Sequence, residues 1–95
     1  MTYVLTEKAD EDLSEILSAG VEEYGVNAAI IYYESIIGKC QRAAENPFQY
    51  AAVDGIYPNC RRVISGAHSI YYRIESDDIV IGRVLRAGMD FTRHI

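Results

Sequence analysis

The sequence predicts a small α+β domain: a mainly antiparallel four-stranded sheet with an N-terminal α-helical hairpin packed on one face, in the order β-α-α-β-β-β. The first half of the chain contains two long stretches in which apolar residues have helical spacing, and a short run of strand formers precedes them. The second half alternates in the manner of β-hairpins. With 95 residues there is room for a single domain, residues 1–95, around one modest core.

The N-terminal region predicts one strand followed by one helix. Tyr3-Val4-Leu5 is a run of strand formers that we expect to join the same sheet as the later strands. Thr6 is a good N-cap, and apolar residues from Ala9 to Tyr24 follow the three-then-four spacing of one helical stripe. This stripe is expected to pack on the sheet.

A second helix is expected to run antiparallel to the first. Gly25 ends the first helix and Asn27 can cap the next, which we expect from about Ala28 to Ala44 after a loop of two or three residues. Glu45-Asn46-Pro47 ends it, because proline disfavours the helical conformation in the residue before it. An irregular connection over residues 48–59 then leads to the strands.

Residues 61–86 predict a three-stranded meander. Apolar residues occupy every second position of its central strand: Ile70, Tyr72 and Ile74. Gly66 supplies the first turn, since glycine tolerates the positive φ that a two-residue hairpin loop needs, and residues 76–78 supply the second. The last strand, residues 79–85, is apolar on both faces in its first half, so we expect it to lie inside the sheet.

Composition excludes several classes of function. No apolar run reaches the roughly 18 to 20 residues of a membrane-spanning helix, and the N-terminus lacks the features of a signal peptide, so we expect a cytoplasmic protein. Cys40 and Cys60 are isolated and without metal-ligand spacing, and we expect them to be buried thiols. Phosphate-binding and nucleophile motifs do not occur in the sequence. We therefore expect neither a cofactor nor a metal site.

The charge is unevenly distributed along the chain. The net charge of −5 argues against a general nucleic-acid binder, whose affinity comes mainly from neutralisation of phosphates by Lys and Arg. Residues 1–46 hold nine acids against three bases, whereas residues 60–95 hold six arginines against four acids. This asymmetry predicts a partner that meets the arginine side, with an ordinary solvated surface as the alternative.

Four short motifs follow one another in the second half of the chain: Glu45-Asn46-Pro47, the strand His68-Ser69-Ile70-Tyr71-Tyr72-Arg73, the strand Ile81-Gly82-Arg83-Val84-Leu85, and the tail with Met89-Asp90 and Arg93-His94. Together with the strand and two helices that precede them, they resemble the ParE branch of the RelE/ParE toxin superfamily, and the resemblance covers nearly the whole chain. Each motif alone is weak, and their order makes the resemblance specific.

The resemblance implies a toxin of a bacterial type II toxin-antitoxin pair. ParE-like toxins are held inactive by a ParD-like antitoxin whose C-terminal segment wraps around the toxin, and the characterised ones act on DNA gyrase without a catalytic site of their own. The resemblance therefore implies a hetero-oligomer with an antitoxin and gyrase as the target. It implies neither specific nucleic-acid binding by the toxin itself nor association with a membrane.

The candidate target- or antitoxin-binding residues lie on the strands and in the tail. They are Arg61, Arg73, Arg83, Arg86, Met89, Asp90, Arg93 and His94. Apolar residues at Tyr71 and around Ile79, Ile81 and Leu85 indicate that the sheet face away from the helices is not wholly polar. A groove there, edged by the arginines at positions 73, 83 and 86, would suit an amphipathic acidic helix or an added strand. The alternative is that the tail covers this face.

Two other functions stay open at this point. The RelE branch of the superfamily cleaves messenger RNA on the ribosome, which requires a general base, a general acid and cations for the phosphate. Arg61, Arg83 and His94, completed by Glu75 or Tyr57, could form such a set, although an acidic chain is poorly suited to ribosomal RNA. The other alternative is an inactive remnant that only binds an antitoxin.

Overall fold

The computed structural model describes residues 1–53 and 58–88, and the six predicted elements follow one another in the predicted order. They are β1 (Thr2–Leu5), α1 (Glu7–Tyr24), α2 (Val26–Glu45), β2 (Cys60–Ser65), β3 (His68–Ile74) and β4 (Asp78–Arg86). The strands form one sheet in the order β1-β4-β3-β2. The predicted α+β fold class is confirmed.

β4 lies inside the sheet, as its apolar pattern predicts. It pairs parallel with β1 and antiparallel with β3, and β2 is antiparallel to β3. β1 ends at Leu5, opposite Ile81, whereas β4 continues to Arg86. β4 therefore extends past β1, and other groups must satisfy its backbone there.

The two helices are joined by one residue, and the predicted loop of two or three residues is wrong. α2 already begins at Val26, so Asn27 lies inside its first turn and the predicted Asn27 cap is also wrong. Gly25 is the cap residue of both helices, with φ 90° and ψ 165°, a conformation that glycine tolerates and other residues do not. The helices approach each other closely near this joint. A Cβ built on Gly20 would lie only 3.1 Å from the Cβ of Ala29.

The outer ends of the helical hairpin match the prediction. The Thr6 hydroxyl accepts a hydrogen bond from the Ala9 N–H at 3.1 Å, which is the expected N-cap contact. α2 ends at Glu45 with Asn46 as its C-cap, immediately before Pro47.

The main core lies between the helices and the sheet. Its buried members are Ala9, Leu13, Ile36, Cys40, Ala43, Ala44, Val63, Ile70, Tyr72, Ile79, Ile81 and Val84. The buried Tyr72 hydroxyl donates a hydrogen bond to the Pro47 carbonyl oxygen at 2.5 Å and so ties the segment after α2 to the sheet. Burial raises the pKa of Tyr72 to about 12, and it raises the pKa of the Cys40 thiol to about 12 as well. Both groups therefore stay protonated near neutral pH, and Cys40 acts as a small core residue.

A β-bulge in β4 changes which of its residues face the helices. The register passes from the pair Tyr72–Ile81 to the pair Tyr71–Arg83, so Gly82 is the extra residue. An extra residue reverses the alternation of side chains beyond it.

The prediction that residues around Ile79 and Ile81 help to line the face away from the helices is wrong. Both are fully buried in the main core, where Val84 joins them after the bulge. A second buried cluster does lie on the other face: Cys60, Tyr71 and Leu85. That face is therefore not wholly polar, but these residues are already shielded from solvent.

Candidate functional site

Four of the eight candidate residues lie in the described part of the chain: Arg61, Arg73, Arg83 and Arg86. Four lie outside the described residues: Met89, Asp90, Arg93 and His94. Tyr57 and the tail beyond Gly88 also lie outside the described residues, so the alternative that the tail covers the sheet face stays a prediction. The binding roles of all eight candidates stay predictions, and the structure shows the surroundings of the first four.

Arg83 is held in an ion pair with Asp12 of α1. Its Nε and Nη2 groups donate to the two carboxylate oxygens at 2.8 Å each, and the Val84 N–H donates to the same carboxylate at 2.9 Å. The two side chains are only 15% and 11% exposed, so the bidentate pair is largely shielded from water. The hydrogen bond to Asp12 raises the pKa of Arg83. The pair anchors α1 to the part of β4 that extends past β1.

Thr6 provides a second link between α1 and β4. Its N–H donates to the Ile81 carbonyl oxygen at 3.0 Å, and its hydroxyl donates to the Gly82 carbonyl oxygen at 2.8 Å. Thr6 therefore caps the helix and continues the edge of the sheet at the same time.

Arg61 holds the connection after α2 against β2. Its Nη1 donates to the Tyr50 carbonyl oxygen at 2.6 Å, and its guanidinium carbon lies 5.1 Å from the centroid of the Phe48 ring. Ala52 forms a β-bridge with the Arg61 backbone. These contacts give Arg61 a structural role whatever else it binds.

Arg73 is less constrained than Arg61 and Arg83. It forms an ion pair with Glu75 at 2.9 Å, in which the side chains are 40% and 51% exposed. Such exposed pairs contribute little to stability, so a partner can replace Glu75 at small cost.

Arg86 is exposed and lies opposite His68 at the end of the sheet. His68 Nδ1 is 2.6 Å from the Tyr32 hydroxyl oxygen. Burial, with a contribution from the charge of Arg86, lowers the pKa of His68 from its usual 6.5. Arg86 itself has no ion-pair partner among the residues that the structure describes.

The Tyr32 hydroxyl fixes the turn between β2 and β3. It accepts a hydrogen bond from the Ala67 N–H at 3.0 Å and lies 3.2 Å from the Ser65 carbonyl oxygen. Gly66 has φ 57°, as predicted, and a Cβ there would lie 2.7 Å from the Tyr32 ring. The turn therefore requires glycine both for its backbone and for its contact with Tyr32.

Two exposed residues of β2 are missing from the sequence-based candidates. Arg62 and Ile64 lie on the sheet face away from the helices, and Ile64 is 61% exposed. Residues 51–53 pair only with the first half of this edge strand, through the Val53 N–H to the Cys60 carbonyl and the Arg62 N–H to the Ala51 carbonyl. The alternation of Arg62 and Ile64 with the buried Val63 is a local signal from which this surface could have been predicted.

The described ranges contain neither a candidate metal site nor a candidate membrane-spanning helix. Within residues 1–53 and 58–88, no group of three or more His, Cys, Asp and Glu side chains could hold a metal ion. In the same ranges, neither helix combines the length and apolar character needed to cross a membrane.

Comparison with solved structures places the fold in a known class. A structure of the chromosomal ParDE TA system from P. aeruginosa matches with a TM-score of 0.79 and 24% identity, over 90% of this chain and 95% of that chain. The solution structure of a conserved hypothetical protein from Helicobacter pylori matches with a TM-score of 0.59 and 15% identity, over 92% and 94%. At these identities the matches show the fold alone, which is the α+β fold seen in that ParDE system.

Comparison of sequences shows the family. A family model described as "ParE toxin of type II toxin-antitoxin system, parDE" matches residues 3–91. Toxin ParE1 from Mycobacterium tuberculosis is 32% identical over 94 residues, which are 98% of this chain and 96% of that protein. Toxin ParE1 from Caulobacter vibrioides is 28% identical over 93 residues with the same coverage. The chain belongs to the ParE toxin family of type II toxin-antitoxin systems.

Proposed function

We propose that this toxin inhibits DNA gyrase by binding to it, that it has no catalytic site, and that a ParD-like antitoxin neutralises it in the bacterial cytoplasm. Membership of the ParE family is the observation that carries the proposal. In this reading the chain stalls replication through its effect on gyrase, and the antitoxin forms a hetero-oligomer with it.

The positions of two arginines support binding over ribonuclease chemistry. Arg61 and Arg83 are the described cations of the alternative messenger RNA-cleaving set. Arg83 is neutralised by Asp12, and Arg61 is bound to the Tyr50 carbonyl. A catalytic cation must be able to face the phosphate as charge develops, and releasing Arg83 would leave the largely shielded Asp12 carboxylate without its cation.

The antitoxin is proposed to bind the β2 side of the sheet. Arg62 and Arg73 lie on the same face, two cross-strand pairs apart, and the exposed Ile64 is on that face as well. An acidic segment with apolar residues would complement this surface, either as an amphipathic helix or as a strand added along β2. Arg86 stays a separate candidate, because the bulge places it on the helix side next to His68.

The target is tested by expressing the toxin without its antitoxin and by assaying the purified protein. We expect filamentous cells with an induced SOS response, intact messenger profiles, and inhibition of gyrase supercoiling in vitro. Rapid messenger cleavage with normal supercoiling would favour the ribonuclease reading. Harmless overexpression together with tight antitoxin binding would identify an inactive remnant.

The antitoxin surface is tested by the double variant Arg62→Glu/Arg73→Glu, with Lys39→Glu/Arg42→Glu as a control of equal charge change on α2. We expect the strand variant to weaken antitoxin binding by at least about tenfold, measured by titration calorimetry, because like charges would then meet across the interface. If the two variants bind the antitoxin with equal affinity, the β2 side of the sheet is not the antitoxin-binding surface.

A further inference from the structure

The helical hairpin is anionic over most of its length. Residues 9–38 contain seven acidic residues and not one Lys, Arg or His. Asp12 among them is paired with Arg83, whereas Glu22 and Glu23 at the far end of α1 are exposed. The end of the hairpin near Gly25 is therefore negatively charged.

The same end carries a group of exposed apolar side chains, which we call the hairpin tip: Val21, Tyr24, Val26 and Ile30. Their exposed fractions are 37%, 70%, 56% and 42%. The first two are three residues apart on α1 and the last two are four residues apart on α2, so each pair shares a face of its helix. The one-residue joint and the close approach of Gly20 to Ala29 place both pairs at the same end of the hairpin, within about one and a half helical turns of Gly25.

The hairpin tip has the composition of an interaction surface. Single exposed apolar residues are common, but a group of them bordered by charges marks a binding site more often than chance. Tyrosine is enriched among the residues that dominate binding energy, and Tyr24 is the largest and most exposed side chain of the group.

We infer that the hairpin tip contacts the target, and that it docks on a basic DNA-binding surface of gyrase. This inference rests on the proposed function. An enzyme that holds DNA must present Lys and Arg to the phosphates, and an anionic surface with an apolar centre complements such a region. An acidic antitoxin segment would be repelled by Glu22 and Glu23. The toxin thus has two surfaces of opposite charge, the acidic tip for its target and the β2 side for its antitoxin.

The apolar part is tested by comparing Tyr24→Ala with Ile31→Ala. Ile31 is 69% exposed, close to the 70% of Tyr24, but it points to a different side of α2 from Val26 and Ile30. We expect Tyr24→Ala to raise the concentration for half-inhibition of gyrase supercoiling about tenfold. Ile31→Ala should inhibit like the wild type, and both variants should keep wild-type affinity for the antitoxin.

The charged part is tested by Glu22→Lys/Glu23→Lys, with Glu11→Lys/Glu45→Lys as a control of equal charge change away from the tip. The tip variant should lose inhibition by about tenfold or more and the control should not, since only the first places cations against a basic surface. Urea unfolding of each variant shows that it folds like the wild type.

Four results would overturn the inference. Tip variants that inhibit as strongly as the wild type would exclude the tip as the target surface, and tip variants that lose antitoxin binding would assign it to the antitoxin. A wild-type dimer in sedimentation that Tyr24→Ala dissociates would assign it to self-association. If the wild type does not inhibit gyrase at all, the proposed function fails too, and this outcome is distinct from the other three.

Discussion

The helical hairpin is fixed to the sheet at one end and exposed at the other. At its base, which we define as Thr6, Asp12 and Leu13, every side chain has a partner in β4 or in the core. At the hairpin tip, the apolar side chains are between 37% and 70% exposed. Both ends are rich in acids, so composition does not distinguish them.

The difference comes from the lengths of two paired strands. β4 has nine residues and β1 has four, so the edge of β4 beyond Leu5 presents backbone groups that a strand does not cover. Thr6 and Asp12 satisfy the Gly82 carbonyl and the Val84 N–H there. An acid at the base therefore stabilises the fold, whereas an acid at the tip remains available for a partner.

The largest expected difference between the two ends comes from truncating one apolar residue at each. Leu13 is 1% exposed and Val21 is 37% exposed on the same helix. Leu13→Ala should lower the free energy of unfolding by about 2–5 kcal/mol through lost burial and a cavity. Val21→Ala should change it by no more than about 0.5 kcal/mol. Urea unfolding measures both changes. Similar losses would mean that the base and the tip of α1 contribute equally to the stability of the fold.

Removing the carboxylate at the base should have the next largest effect. Asp12→Ala leaves Arg83 and the Val84 N–H without their acceptor in a shielded place, so we expect a loss of about 2–3 kcal/mol in the free energy of unfolding. Glu15→Ala, an exposed acid on the same helix, is the control and should stay within about 0.5 kcal/mol. If Asp12→Ala lowers the free energy of unfolding by no more than Glu15→Ala does, the ion pair does not anchor α1.

The hydroxyl of Thr6 should contribute less than the carboxylate. Thr6→Ala removes both the N-cap contact to Ala9 and the hydrogen bond to Gly82, which together should cost about 1–2 kcal/mol. Ser14→Ala, exposed in the middle of α1, is the matched loss of a hydroxyl. Circular dichroism during urea unfolding compares them, and an equal change in both would show that capping at the base is unimportant.

The smallest effect is expected between the two ends, where Tyr32 of α2 meets His68. Burial lowers the folded-state pKa of His68 below its usual 6.5. The unfolded chain then binds more protons, so the stabilisation is present above pH 6.5 and is lost as pH falls through the folded pKa. His68→Asn should reduce this part of the pH dependence, measured by urea unfolding above and below pH 6.5. An unchanged pH profile would mean that His68 is not the titrating group.

The elements could be predicted from the sequence because each follows from neighbouring residues. The turn at Gly66, the end of α2 before Pro47 and the interior position of β4 all have local causes and are confirmed. Gly25 ends α1 as predicted, whereas the predicted start of α2 after Asn27 is wrong, since Asn27 is a plausible cap when only the pattern is read.

The surroundings of the candidate residues could not be predicted in the same way. The Asp12–Arg83 pair joins residues 71 positions apart, and no local pattern encodes it. The bulge at Gly82 reverses which side chains of β4 face the helices. Simple alternation therefore groups Ile79 and Ile81 with Leu85, which lies on the opposite face of the sheet. The exposure of the hairpin tip also depends on where the sheet ends. The candidates at positions 89, 90, 93 and 94 stay predictions.

The parallel pairing of the first and last strands has a consequence for the order of folding. Thr2 pairs with Asp78, 76 residues later, whereas the helical hairpin and the β2-β3-β4 meander form from segments that are close in sequence. Long-range pairings close slowly relative to local ones, so we expect β1 to dock in a late step. Thr6 and Asp12 reach β4 only then, which means that the anchored base matures after the tip is already formed.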